Sequence, residues 1–188
     1  MTFLNQKEAV APRQRFEELY TEHYAAVSGY VRRRTDHPDD CADVIAETFT
    51  TAWRRLADVP AGDEARLWLY GTARRVLANH RRGALRHTAL TLRLREELAA
   101  GAAAADRVPA GAGAAFARLS EDDRELLSLV GWEGLDTGEI AKVLGCSRVA
   151  VRQRLHRARK RLAAELAAHD IDLSAYGTRA VRLAKESA

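Results

Sequence analysis

From Arg13 onward, apolar residues return every three, four or seven positions with polar residues between them, the spacing of helices that each bury one stripe. Phe16, Leu19, Tyr20, Val27, Tyr30 and Val31 make one such stripe. Ile45, Phe49, Ala52 and Leu56 make a second, on a helix that Pro38 enters as an early helical residue, where its missing N–H costs nothing. A third helix is expected from Glu64 through "RLWLYGTARRVLANHRR", after a loop marked by Pro60 and Gly62. Residues 99–114 are almost wholly Ala and Gly and offer no stripe to bury, the composition of a linker, though part of the alanine run could be helical. After them Ser120 stands three before Asp123, a start resembling a capping box, and Leu126, Leu127, Leu129 and Val130 follow. There is no strand alternation of useful length and no internal repeat. The pattern therefore predicts an all-α fold of two small helical domains joined by a flexible linker, with domains at 13–88 and 115–168, the linker at 89–114 and a C-terminal extension at 169–188.

The stretch "GEIAKVLGCSRVAVRQRLHRARKRL", residues 138–162, carries the most chemistry. Asp136 and Glu139 fit the cap and third position of a short helix bearing Ile140, Ala141, Val143 and Leu144. Gly145 suits a residue at positive φ, and Ser147 caps a second helix. Gly138 inside the short helix is expected to cost about 1 kcal/mol relative to Ala. On the second helix Val151, Leu155, Ala158 and Leu162 share a core-facing stripe, while Val149, Gln153, His156 and Lys160 lie opposite, flanked by Arg152 and Arg157. Between Lys142 and Arg161 there are eight Lys or Arg and no acid. Helix, tight turn and helix with such an outward face is what a major groove reader needs: Arg pairs with guanine O6 and N7, Gln with adenine, and other cations meet phosphates. A merely solvated basic face is the alternative. Against it stands the conjunction of two caps, a glycine turn and an acid-free face.

Charge changes sign along the N-terminal half. Asp36 to Glu47 holds five acidic residues and no Lys or Arg follows until Arg54. Asp39 and Asp40 read as complements to a helix dipole, whereas Asp43 and Glu47, four apart on one face, are either solvated or an acidic docking face. From Arg66 to Arg95 there are eight Arg and no acid, with Trp68 and Tyr70 among them, the mixture of cations and rings that a single-stranded nucleic acid uses. Trp68 reads as core rather than as a base-stacking ring.

Taken whole, the chain is only mildly basic, at +4 with a pI near 9.3, so the placement of charge says more than its total. No apolar run reaches a membrane span's length, and the N-terminus lacks a signal peptide's cationic start and apolar core, which points to a cytoplasmic protein. Cys41 and Cys146, the only two cysteines, have no CxxC or metal-ligand neighbourhood, so neither a disulfide nor a metal or other cofactor is expected.

Together these segments resemble the sigma-70 family of bacterial transcription initiation factors, in its compact extracytoplasmic-function (ECF) group. "DDCADVIAETFTTAWRRL" is similar to that group's second-region helix, "RLWLYGTARRVLANHRR" to its −10 element reader, and "LSEDDRELLSLVGWEGLDTGEIAKVLGCSRVAVRQRLHRARKRL" to its fourth region, the −35 reader. The resemblance implies a protein that binds core RNA polymerase and promoter DNA and has no catalytic site. Its contacts would be the clamp helices of the largest polymerase subunit, through Asp43 and Glu47, and the flap of the second-largest. Arg148, Arg152, Gln153, His156, Arg157 and Lys160 would meet the −35 duplex. The loop from Ala57 to Glu64, with Val59 and Pro60, would trap a base of the melted −10 strand, and Arg74, Arg75, Asn79, Arg81 and Arg82 would meet its bases or phosphates. Arg75, Asn79, Val59 and Pro60 depart from the family's usual pattern, so the −10 sequence does not follow from the resemblance. An anti-sigma protein is a further partner that the family allows.

Two other classes bear on the reading. A stand-alone helix-turn-helix regulator would dimerise and bind a near-palindrome without polymerase. An enzyme would need a catalytic constellation, and His23, His37, His80, His87 and His169 are scattered without partners for one. The tail "HDIDLSAYGTRAVRLAKESA" reads equally as an extension, a packing helix or a proteolysis signal.

Overall fold

The computed structural model describes residues 12–96 and 111–169, with side chains described up to residue 83 in the first stretch. Every element among them is helical: α1 (Pro12–Arg32), α2 (Pro38–Arg54), a 3-10 turn (Leu56–Asp58), α3 (Asp63–Glu96), α4 (Ala112–Ala117), α5 (Glu121–Gly131), α6 (Thr137–Leu144) and α7 (Arg148–Ala168). They fall into two compact units, α1 to α3 and α4 to α7.

In the first unit α1, α2 and α3 pack pairwise on one another. Val27, Tyr30 and Val31 of α1, Val44, Thr48 and Ala52 of α2, and Leu69, Tyr70 and Ala73 of α3 fill the centre, each at most 3% exposed. Two buried threonine hydroxyls turn back onto their own backbones, Thr48 Oγ1 to the Val44 carbonyl at 2.7 Å and Thr72 Oγ1 to that of Trp68 at 3.0 Å, which satisfies both donors; the buried Ser28 hydroxyl of α1 has no such partner. The rings of Tyr30 and Tyr70 stack with centroids 5.0 Å apart, and the Arg34 guanidinium lies 3.6 Å above the Tyr30 ring. Pro38 opens α2 as expected.

The α1 stripe is only partly core. Leu19, Val27, Tyr30 and Val31 are buried, but Tyr20 is 41% exposed. Tyr20 packs instead at the surface with Phe16 and Tyr24 over the buried Phe49, and Trp53 closes on Phe16 edge-on at 5.2 Å. Trp68 is half-buried rather than core, with the Arg55 guanidinium 5.9 Å from its ring.

His23 of α1 is a buried histidine, 6% exposed. Burial holds its pKa below the usual histidine value; Glu22 and Asp63 oppose that shift and Arg66 adds to it. A histidine with a lowered folded pKa is kept neutral by the fold, so its contribution is complete above pH about 6.5 and is lost as pH falls below that value toward the folded pKa. The melting midpoint of the protein is expected to drop between pH 7 and pH 5, and His23→Gln should flatten the slope. An identical slope in the variant would remove His23 from the acid response.

In the second unit α4, α5 and α6 all pack on α7. Leu126, Leu127 and Leu129 of α5, Ile140 of α6, and Val151 and Ala158 of α7 are at most 2% exposed. Arg161 of α7 pairs with Asp123 of α5 at 2.6 Å, with the Asp123 side chain 7% exposed. Ser120 caps α5 by accepting the Asp123 N–H at 3.2 Å. The Asp123 carboxylate goes to Arg161, so what resembles a capping box is a cap joined to an interhelical pin.

Within the linker expected at 89–114, α3 continues to Glu96 and α4 begins at Ala112. Ala and Leu between the arginines of 84–96 support a helix as well as they would a linker, and Ala115 of α4 is fully buried. The middle of the linker and all of the extension after His169 lie outside the described residues.

Candidate nucleic-acid interface

The helix-turn-helix is built by local chemistry at four positions. Asp136 accepts from the N–H groups of Gly138 (2.6 Å) and Glu139 (2.9 Å), and the Glu139 carboxylate accepts the Asp136 N–H at 2.8 Å, a complete capping box. Those two N–H groups hold the Asp136 carboxyl below the usual range, with smaller help from Arg148 and Lys142. Gly138 is therefore more than a propensity penalty: a Cβ there would meet Asp136 Oδ1 at 3.1 Å, crowding the cap that starts the helix. Gly145 ends α6 at φ 65°, ψ 38°, a left-handed conformation that disfavours any side chain. The Cys146 N–H then returns to the Ala141 carbonyl at 3.0 Å, and Ser147 caps α7 by accepting the Ala150 N–H at 3.1 Å. Arg148 Nε donates to Thr137 Oγ1 at 3.0 Å, tying the first residue of α7 to the first of α6.

With the register of α7 set in this way, Val151, Leu155, Ala158, Leu162 and Leu166 are buried. Arg148, Arg152, Gln153, His156, Arg157 and Lys160 are all exposed, so one helix presents all six. Arg157 Nε reaches only the Gln153 carbonyl, at 3.3 Å. Periodicity alone had not singled out Arg154 and Arg161. With Arg157 they line a small cleft against Asp122 and Asp123, a flank whose acids come from α5 and are visible only after folding.

In the first unit the expected site residues divide. Asp43 and Glu47 are exposed on α2 and face Arg75, Asn79 and His80 of α3 across an open groove of about 730 Å³. Acidic residues of α2 and basic residues of α3 thus share one groove, which their separate sequence segments do not reveal. Near its edge His80 Nε2 lies 3.6 Å from Asp40 Oδ1. Arg75 is exposed and donates to Thr72 Oγ1 at 3.1 Å, Arg74 is half-buried, and Arg82 donates to the Asn79 side chain. Arg81 donates to the Arg34 carbonyl at 3.1 Å, which fastens α3 to the end of α1. Pro60 is exposed, but Val59 is 3% exposed. Its side chain joins the core and its carbonyl accepts Arg15 Nη2 at 2.6 Å. Val59 thus anchors the loop, and its side chain, expected from the resemblance to meet a base, is buried in the free chain.

Among the described residues no group of His, Cys, Asp or Glu could hold a metal ion, and no helix is long and apolar enough to cross a membrane.

These features define a class first: a two-unit helical protein whose second unit carries a helix-turn-helix with a cationic reading face. The family models for sigma-70 region 2 and sigma-70 region 4 match residues 19–87 and 112–162. SigL of Mycobacterium tuberculosis, an ECF RNA polymerase sigma factor, is 30% identical over 73% of this chain and 81% of its own length. CnrH of Cupriavidus metallidurans, an RNA polymerase sigma factor, is 30% identical over 80% of this chain and 86% of its own. YlaC of Bacillus subtilis is 27% identical over 80% and 91%. In structure the chain is similar to CnrH in complex with the cytosolic domain of CnrY, at 28% identity and a TM-score of 0.55 over 81% of this chain and 88% of that one. The fold also matches RpoE of Bartonella quintana, solved with the anti-sigma factor NepR, at 22% identity and a TM-score of 0.56 over 81% and 96%. The chain belongs to the sigma-70 family of RNA polymerase sigma factors, in its ECF group.

Proposed function

We propose that this chain directs promoter-specific initiation by dividing three tasks between its units. The α7 face reads the −35 duplex, with Arg152 and Gln153 on base edges and Arg148, His156, Arg157 and Lys160 on bases or phosphates. In the first unit Pro60, Arg74, Arg75, Asn79 and Arg82 meet the melted −10 strand, and Asp43 and Glu47 dock on the clamp helices of the largest polymerase subunit. The second unit contacts the flap of the second-largest subunit. The chain does this in the cytoplasm, as an initiation factor that makes and breaks no bonds itself. Linking two modest DNA contacts through one polymerase gives avidity, so neither unit need bind tightly alone. The observation that carries the reading is the α7 face: six polar or cationic side chains exposed together on a helix whose start is capped and tied to α6.

Run-off transcription and mobility shift on genomic promoter fragments test it, with the chain alone, core polymerase alone and both together. Specific transcripts only from the combination support the reading. Tight, sequence-specific binding by the chain alone, with no transcript when core is added, would make it a conventional regulator. Glu47→Gln should weaken core polymerase binding by up to about fivefold, the scale of one exposed charge pair, and more at low salt. Unchanged affinity would take Glu47 out of the docking face.

A protein regulator is a further proposed partner. The exposed rings of Tyr20, Tyr24 and Trp53, at 41, 38 and 48%, form an aromatic surface of the kind protein partners cover. The relative CnrH, which was solved with a protein partner, supports that reading.

A further inference from the structure

We infer that Val149 is a specificity-determining residue that reads the 5-methyl group of one thymine in the −35 element. The inference rests on the −35 reading above and deepens it. Val149 is 54% exposed, more than any other large apolar side chain among the described residues. The fold gives it no work: an exposed valine buries no core, and Val is a poorer helix former than Ala. Its place is the second residue of α7, one turn before Arg152 and Gln153, so the three side chains lie side by side on the helix surface. The residue before it is held to Thr137 and the one after it donates its N–H to the Ser147 cap. Its position on the reading face is thus fixed from both sides.

In a major groove read by this face, the only apolar feature on the base edges is the thymine C5-methyl. Valine offers two methyl groups beside the Arg152 and Gln153 side chains one turn on. Recognition would then combine a methyl read by Val149 with hydrogen bonds made by its neighbours one turn on.

The test uses the full chain with core polymerase on a promoter fragment in which each −35 thymine, on either strand, is replaced singly by deoxyuridine, which removes the methyl and nothing else. At one position deoxyuridine should weaken binding by wild type about fourfold, the worth of one buried methyl. Val149→Ala should bind the thymine and deoxyuridine fragments equally there, with a melting temperature no lower than wild type. Equal binding of every substituted fragment by wild type, or a deoxyuridine penalty that persists in Val149→Ala, overturns the inference. A scrambled −35 element bound as well as the native one would instead overturn the −35 reading on which it rests.

Discussion

Leu127→Ala is expected to destabilise the second unit by about 2–5 kcal/mol, the cost of emptying a fully enclosed leucine site. Leu127 sits on α5 with no exposed surface, and α5 is one of the three helices packed on α7. At about 0.05–0.15 kcal/mol per residue a unit of this size has only about 3–9 kcal/mol in hand, so the variant should melt well below wild type and lose −35-dependent transcription as temperature rises. The first unit has its own core of Tyr30, Leu69 and their neighbours, so the proposed docking through Asp43 and Glu47 should survive even where the second unit's flap contact is lost. Urea unfolding and a pull-down on the same preparation check both halves. Loss of polymerase binding in step with loss of the second unit's structure would mean that docking does not reside in the first unit. Val130→Ala, on a half-buried neighbour, is the control and should cost less.

Arg152→Ala carries the second large expectation, and it concerns recognition rather than folding. The side chain is exposed, so melting should be unchanged. One bidentate base contact is worth about 1–3 kcal/mol of discrimination, roughly five- to 150-fold. Use of the native −35 element should fall by that factor while core polymerase binding stays the same. Lys160→Ala, at a position suited to a phosphate, should weaken native and scrambled elements alike and reduce the salt dependence. A defect in Arg152→Ala that is equally large on a scrambled element would move Arg152 from base reading to phosphate contact.

The recognition helix was the most legible part of the chain. Its core stripe, its outward face, Gly145 and both caps can be read from spacing, because a helix of fixed period turns sequence offsets directly into faces. Pro38 and the all-helical class were legible for the same reason. The first unit yielded less. Tyr20 keeps the spacing of a core residue yet packs on the surface, since aromatic rings bury well against one another without entering the centre. Val59 reads as a loop residue and is buried, because the loop is pressed onto the unit and held by Arg15. The end of α3 is not marked by spacing, because a run of Arg, Leu and Ala suits a helix and a linker equally.

What the sequence determined by itself is the set of elements, the register of α7 and the chemistry of its exposed face, all of which follow from local periodicity and from caps that reach no further than three residues. Only the tertiary structure decided which acids meet which bases. Asp123 pins Arg161 across 38 positions, and Asp43 and Glu47 share a groove with Arg75 and Asn79. Such pairings depend on where separate helices cross, and the crossing is set by the shapes of buried side chains packed together, which no local spacing encodes.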